Sequence, residues 1–123
     1  MAKTILIVDD SSSLRALVRM ALVREGYEVI EAVDGKDALG KLAGAAKINL
    51  IVSDVNMPNM DGIAFLTQVK QQPKHKYTPV IMLTTENQTE KIQAGRAAGA
   101  KAWIVKPFAT PALIDAVSKL VLA

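Results

Sequence analysis

The fold of this chain is decided by two apolar runs that end in carboxylates, ILIVDD at residues 5–10 and LIVSD at residues 50–54. A short continuous apolar run is typical of a strand that is buried on both faces of a parallel sheet. Because the carboxyl ends of parallel strands meet at one edge, Asp9, Asp10 and Asp54 should come together there. Three carboxylates in close contact repel one another unless a cation compensates them. The two runs therefore predict an Mg²⁺ site with a nucleophilic aspartate, Asp54, beside it.

Strand-like and helix-period segments alternate along the whole chain. Strands are predicted over residues 4–8, 27–32, 49–53, 79–83 and 102–105, and the helices that follow them end near residues 25, 46, 72, 98 and 121. The second helix is expected to begin at Asp37, and the fourth is expected to be marginal over residues 86–98. Five βα units in series predict an α/β fold with a doubly wound parallel sheet, covered by helices on both faces.

The first helix has a clear amphipathic pattern. Three serines at positions 11–13 offer N-caps, and Gly26 suits the C-terminus. The residues expected on the inner face are spaced at i, i+3, i+4, i+7 and i+8, namely Leu14, Leu17, Val18, Ala21 and Leu22. This spacing predicts a helix that packs one face on the sheet.

Length and composition limit the possible classes of protein. The chain has 123 residues, so one domain over residues 1–123 is expected. It has no cysteine, which excludes disulfides and thiol chemistry, and its single histidine argues against a conventional zinc site. The sequence has no apolar run long enough to span a membrane and starts without a signal peptide. A cytoplasmic protein without membrane insertion is expected.

The charge is unevenly distributed between the two halves of the chain. Residues 1–61 hold seven Lys and Arg against nine Asp and Glu, whereas residues 62–123 hold eight against three. The basic half has no cluster of cations with interleaved aromatic residues, since aromatics are only 4% of the chain. We therefore expect no nucleic-acid partner. Four basic residues on the fourth helix, fifth strand and fifth helix either border a partner face or are simply solvated: Lys91, Arg96, Lys101 and Lys119.

The acids that end the first and third predicted strands suit a magnesium site. Mg²⁺ prefers oxygen ligands and binds through a few carboxylates together with phosphate oxygens and water. Asp9, Asp10 and Asp54 are the candidate carboxylate ligands. The backbone carbonyl of Asn56, two residues past Asp54, is a further candidate ligand.

Two other polar residues end the last two predicted strands at the same edge. Thr84 follows the fourth strand and Lys106 follows the fifth. A carboxylate such as Asp54 can attack phosphorus to give an aspartyl phosphate. The Lys106 ammonium would neutralise charge on the transferring group, and the Thr84 hydroxyl would donate to a phosphoryl oxygen. Taken singly, each residue has a plainer structural interpretation as a cap, a strand residue or a solvated lysine.

These residues together resemble a known family. The motifs that match the receiver domain of two-component response regulators are Asp9-Asp10, Asp54 with Met57-Pro58 and Asp61-Gly62, Thr84, and Lys106-Pro107-Phe108. The resemblance covers the whole chain, leaves nothing for an output domain, and is strongest to the single-domain chemotaxis regulators of that family. It implies a flavodoxin-like (βα)5 sheet, as in those CheY-like regulators, with strand order 2-1-3-4-5.

The resemblance also implies a function in signalling. A CheA-like histidine kinase would donate a phosphoryl group to Asp54 in a reaction that needs Mg²⁺. Thr84 and Lys106 would then contact the phosphoryl group, and the aromatic residue at position 103, here Trp103, would turn inward. Such a protein catalyses its own phosphorylation and dephosphorylation and is not otherwise an enzyme. Its partners would be the kinase, a motor-switch or other effector protein and a phosphatase, with the receiver itself a monomer.

Three more features follow from the resemblance. Asn56 and Glu86 occupy variable positions that tune the lifetime of the phosphoryl group in the family. The Lys106-Pro107 bond is often cis in relatives, and X-Pro bonds tolerate the cis form. His75 lies in a charged loop, and we expect it to be exposed rather than to relay a phosphoryl group.

Two alternative functions remain open from the sequence. The first is a pseudo-receiver that is never phosphorylated and serves as an interaction module. The second is a small phosphatase with an aspartyl-phosphate intermediate, but such enzymes resembling the haloacid dehalogenases carry Asp-x-Asp, where this chain has Asp54-Val55-Asn56. Trp103 is almost as well interpreted as ordinary partial core when the family is set aside.

Overall fold

A computed structural model describes residues 2–44, 47–57, 59–85 and 89–121. Within these ranges, apolar runs form strands and segments with a helical period form helices, in strict alternation. The elements are β1 (Thr4–Val8), α1 (Ser12–Arg24), β2 (Glu28–Ala32), α2 (Gly35–Gly44), β3 (Leu50–Asp54), α3 (Gly62–Gln71), β4 (Val80–Thr85), α4 (Thr89–Ala98), β5 (Ala102–Lys106) and α5 (Thr110–Leu120). The predicted α/β class is confirmed.

The strands form one parallel sheet with the order β2-β1-β3-β4-β5, as expected. β3 lies at the centre and is buried at every residue, which explains its uninterrupted apolar sequence. In the register between β1 and β3, Val8 lies beside Ser53. The residues that follow these two, Asp9 and Asp54, are therefore brought side by side at the carboxyl edge of the sheet.

Side chains of the central strands alternate between two apolar layers. Leu6 and Val8 of β1 point into the layer beneath α2 and α3, where Phe65 and Leu66 pack. The intervening residues of β1, Ile5 and Ile7, point to the opposite layer together with residues of α1 and α5. Both faces of the sheet are thus covered by helices, and the polar groups lie at the carboxyl ends of the strands.

The start of α1 is as predicted, but its inner face is narrower than predicted. Ser11 is the N-cap, and its hydroxyl accepts a hydrogen bond from the Leu14 N–H at 3.2 Å. Val18 and Leu22 are buried, whereas Leu17 is 51% exposed, which corrects the inward placement expected for it. Leu17 lies one position before the i, i+4 row that faces the sheet, so it falls at the border of the buried stripe.

The boundaries of two other helices differ from the prediction. α2 begins at Gly35 rather than Asp37, because the Asp34 carboxylate accepts the Asp37 N–H at 2.8 Å and so caps the helix earlier. Its described end is Gly44, and the predicted extension to residue 46 falls outside the described residues. The predicted first turn of α4 at residues 86–88 also falls outside them. Pro111 lies in the first turn of α5, as predicted.

The prediction that His75 is exposed was wrong. The residue is only 2% exposed, and its Nε2 lies 3.2 Å from the carbonyl oxygen of Leu42 at the end of α2. Burial lowers the pKa of His75, so the ring is held in its neutral form. The charged residues beside His75 in the sequence do not indicate this long-range contact with α2.

No helix in the described part of the chain is long and apolar enough to cross a membrane.

Candidate functional site

Three carboxylates meet at the carboxyl edge of the sheet, and we refer to Asp9, Asp10 and Asp54 as the acidic edge. One ligand oxygen from each of these residues lies within 4.8 Å of the others. Asp9 and Asp54 are buried, whereas Asp10 is exposed. The predicted convergence of the three acids therefore occurs, because β1 and β3 are adjacent and end at the same level.

Lys106 reaches the acidic edge from the end of β5. Its Nζ lies 3.1 Å from Oδ1 of Asp54 and 3.3 Å from Oδ2 of Asp9. The long lysine side chain crosses β4 to make these contacts, since β5 is two strands away from β3. The peptide bond between Lys106 and Pro107 is cis, as the resemblance implied. Among the described residues, one ammonium group is thus paired with the buried acids of the site.

The electrostatics of the acidic edge favour a further cation. Burial, and after it the charge of Asp9, raises the pKa of Asp54, and the Lys106 ammonium offsets this only in part. Three close carboxylates with one ammonium leave an excess of negative charge. Hard oxygen donors with excess negative charge at an accessible edge are the ligand set that Mg²⁺ takes. The residues of this structure therefore fit the ion that the sequence predicted.

The backbone around Asp9 is held by contacts on both sides. Oδ1 of Asp9 accepts the Ser11 N–H at 2.8 Å, and the Asp9 carbonyl accepts Nη1 of Arg15 at 2.6 Å. The same guanidinium donates from Nε to Glu31 on β2 at 3.3 Å. Arg15 was missed by sequence reasoning because its partners lie on other elements, and the pattern of α1 gives no signal for it.

Glu31 anchors this support through two arginines. Arg19 Nη1 lies 2.9 Å from Oε2 of Glu31, and Arg15 reaches Oε1 of the same carboxylate. The hydrogen bond from Arg19, opposed by burial and helped by Arg15, lowers the pKa of Glu31. The ionised Glu31 carboxylate therefore links α1 to β2, and Arg15 extends this link to the backbone of Asp9.

The Asp61-Gly62 motif has a steric explanation in the structure. A Cβ at position 62 would lie 2.9 Å from Cα of Val55, 2.7 Å from the Met82 methyl carbon and closer still to the Asp54 carbonyl oxygen. Glycine therefore lets α3 begin against the backbone of the residue that ends β3. The Asp61 carboxylate caps α3 by accepting the Ala64 N–H at 2.8 Å. The motif fixes the backbone beneath Asp54.

The other predicted site residues occupy different places. Thr84 is buried near the end of β4, beside Val105 in the register. Asn56 is exposed and lies two residues beyond Asp54 in the chain. Trp103 is half-buried and already packs inward, in the layer beneath α3 and α4 and away from the carboxylates, and its turning on phosphorylation stays a prediction. Glu86 and Pro58 lie outside the described residues.

Comparison with known proteins agrees with this geometry. Residues 5–118 match the response regulator receiver domain family, and the chain therefore belongs to that family. Chemotaxis protein CheY1 of Helicobacter pylori is 38% identical over 119 residues, which are 96% of this chain and 95% of that protein. The CheY homolog of Campylobacter jejuni is 35% identical over 89% of this chain and 85% of its own.

Solved structures show the same likeness. The chemotaxis response regulator CheY4 of Vibrio cholerae superposes with a TM-score of 0.92 at 44% identity, covering 98% of this chain and all of that one. A putative response regulator of Chloroflexus aurantiacus gives the same TM-score at 32% identity, with 98% of each chain covered. The recognition of a receiver with chemotaxis relatives, made from sequence motifs, is thus confirmed.

Proposed function

We propose that this protein is a phosphorylation-dependent signalling switch that accepts a phosphoryl group on Asp54 from a histidine kinase. The observation that carries the proposal is the position of the Asp54 carboxylate, which lies in the acidic edge with an oxygen 3.1 Å from the Lys106 ammonium. A nucleophile of this kind needs neutralising charge close to the group that it attacks. Both the carboxylates for a metal ion and the ammonium are in place.

Magnesium would be held by the carboxylates of Asp9, Asp10 and Asp54 and by the backbone carbonyl of Asn56. When bound, the ion supplies positive charge to the phosphoryl oxygens. Asp9 suits the role of a fixed ligand, because its two oxygens are already oriented by the Ser11 N–H and by Lys106. Exposed Asp10 can approach the ion from the solvent side.

The transfer step assigned to Asp54 is a displacement at phosphorus. A carboxylate oxygen of Asp54 forms a bond to the phosphorus of a phosphohistidine, and the bond from phosphorus to the imidazole nitrogen breaks. The imidazole leaves with the bonding electron pair and takes up a proton from water. Lys106 holds its ammonium beside the attacking oxygen and neutralises the charge that the new phosphoryl group brings.

The readout of phosphorylation would lie on β4, α4 and β5. Thr84 and Lys106 would contact the phosphoryl group and favour one of two arrangements of these elements, because a modification shifts an equilibrium only through its differential interaction with the two states. Arg96 and Lys101 are exposed on this side, and Lys119 on α5 is 72% exposed. These cations would border the face that meets an effector.

The wider setting follows from the relatives. Three of them carry chemotaxis in their names, so a CheA-like kinase and a motor-switch or other motility effector are the proposed partners. We propose a single receiver domain over residues 1–123 that acts as a cytoplasmic monomer. Asn56 and Glu86 are the positions proposed to tune the lifetime of the phosphoryl group.

Intact mass after incubation with acetyl phosphate tests this function, with and without Mg²⁺. We expect one phosphoryl adduct in the presence of Mg²⁺ and none in Asp54→Asn. Asp37→Asn is the matched control, since its carboxylate lies on α2 outside the acidic edge, and it should be labelled like the parent protein. Labelling that persists in Asp54→Asn would show that the wrong acceptor is named, and a folded parent protein that takes no label would favour a pseudo-receiver.

A further inference from the structure

The indole of Trp103 packs directly on α4 at Gly95. An ideal Cβ at position 95 would lie 2.7 Å from Cη2 of Trp103, 3.1 Å from Cε2 and closer still to Cζ2. Real Cβ atoms essentially never come within 3.0 Å of a heavy atom that lies outside their own residue and its chain neighbours. Any residue other than glycine at this position must therefore displace the indole or lift the helix.

Steric space is the reason for a glycine at this point of the helix. Gly26 and Gly99 have positive φ angles of 93° and 110°, which explains both of them by backbone conformation. Gly95 has no such angle and lies inside α4, where glycine is less favourable than alanine. Gly40, in the interior of α2, has nothing within 4 Å of its ideal Cβ and provides a contrast.

The inward position of the indole also carries a local cost. Its Nε1 is buried and finds no hydrogen-bond partner among the described residues. A buried donor without a partner is unfavourable. The structure thus accepts two unfavourable features, a glycine within a helix and an unpaired N–H, to keep this ring beneath α4.

The contact joins α4 to the strands that carry the proposed phosphoryl-binding residues. Trp103 pairs with Met82 in the sheet, two residues before Thr84, and it precedes Lys106 by three residues on β5. Over residues 92–98 of α4, only Gly95 is buried. The indole is therefore a principal contact between β5 and α4, and a shift of the helix would displace the ring and, through it, β4 and β5.

We propose that Gly95 is a positioning residue: its missing side chain forms the socket that holds Trp103 inward, and the filled socket couples α4 to the phosphorylation site. In this chain the position of the switch aromatic is set by the shape of α4. The coupling to phosphorylation rests on the function proposed above, whereas the socket itself does not.

The first test uses Gly95→Ala with Gly40→Ala as the matched control. Trp103 is the only tryptophan in the chain, so its fluorescence reports on this site alone. We expect Gly95→Ala to shift the emission to longer wavelength and to increase quenching by acrylamide, with no change in Gly40→Ala. Emission and quenching in Gly95→Ala that match the parent protein would overturn the socket.

The second test keeps the proposal falsifiable if Gly95→Ala is poorly folded. Phenylalanine lacks the Cζ2 and Cη2 atoms that face Gly95, so Trp103→Phe empties the socket. We expect Gly95→Ala to lower the Tm in the parent background and to raise it in the Trp103→Phe background, where only helix propensity remains. The same direction of change in both backgrounds would show that the indole does not decide the residue at position 95.

The coupling is tested by adding acetyl phosphate and Mg²⁺ and recording Trp103 emission and intact mass on the same samples. We expect Gly95→Ala to take the same phosphoryl adduct as the parent protein but to lose at least half of the emission change that accompanies it. An undiminished emission change would overturn the coupling. Absence of an adduct from the parent protein would instead count against the proposed function and leave the socket to the first two tests.

Discussion

The acidic edge and the side of the molecule formed by α4 and β5 are built in different ways. β1 and β3, which carry the acids, are almost completely buried and have neighbours on both sides in the sheet. β5 is an edge strand that is mostly half-buried, and Val105 on it is 41% exposed. The acids and Thr84 thus sit on buried interior strands, while Trp103 and Lys106 sit on the more exposed strand β5.

This difference suits a switch. A group that must hold a metal ion and a nucleophile in register needs a backbone that does not move. A surface that reports the modification needs two arrangements of similar free energy, which few buried contacts allow. Lys106 belongs to both parts, since it starts on the edge strand and ends between Asp9 and Asp54.

The largest expected effect on stability comes from a substitution that disturbs the rigid strand β3. Gly62→Ala places a methyl group against the backbone of Asp54 and Val55, which cannot move without disturbing β3. Overpacking against backbone should lower the free energy of unfolding by about 3 kcal/mol. Gly40→Ala, with open space around it, should instead raise this free energy by about 0.5–1 kcal/mol. Urea unfolding measures both, and equal effects would contradict the steric account of the Asp61-Gly62 motif.

The next largest effect is expected when the contacts of Arg15 that hold the backbone of Asp9 are removed. Arg15→Ala removes the hydrogen bond to the Asp9 carbonyl as well as the contact with Glu31. We expect a loss of about 1.5–3 kcal/mol in unfolding free energy, together with weaker Mg²⁺ binding. Arg19→Ala is the matched control, because Arg19 is 55% exposed and its ion pair is with Glu31. Its loss should stay within about 1 kcal/mol. Unchanged Mg²⁺ affinity in Arg15→Ala would remove Arg15 from the support of the site.

Binding of Mg²⁺ to the acidic edge is expected to raise the stability of the folded protein. An ion that binds only the folded acidic edge should stabilise the protein by about 1.4 kcal/mol at a concentration about ten times its Kd. This appears as a rise in Tm of a few degrees. Asp10→Asn should reduce the rise, whereas Asp115→Asn on the exposed face of α5 should leave it intact. An unchanged Tm of the parent protein in millimolar Mg²⁺ would argue against the metal site.

The smallest expected effect concerns pH in the absence of metal. Burial and the charge of Asp9 raise the pKa of Asp54 above its usual value of 3.8. The folded state therefore holds this proton more tightly than the unfolded state, and the resulting stability is lost as pH rises through the raised pKa. With EDTA present, Asp54→Asn should raise the Tm at pH 7 and raise it less below the usual pKa. A gain in Tm that is independent of pH would contradict the pKa shift.

The parts of the structure that the sequence predicted are those that depend on local pattern and strand order. The apolar runs before Asp9 and Asp54 identify buried parallel strands, and the ends of such strands must share an edge. The contacts that sequence reasoning missed all join distant segments. Burial of His75 against Leu42 and the reach of Arg15 to Glu31 depend on how loops and helices pack. Periodicity indicates which face is apolar, but not which neighbour covers it.

The central claim is that phosphorylation at the rigid acidic edge changes the more exposed side formed by α4 and β5. Hydrogen–deuterium exchange measured by peptide mass, with and without acetyl phosphate and Mg²⁺, tests this claim most directly. We predict changed exchange in peptides that cover residues 92–106 and unchanged exchange in the central residues 4–8 and 50–53, with neither change in Asp54→Asn. A phosphorylated protein whose exchange is the same in both regions, or changes only in β1 and β3, would contradict the account.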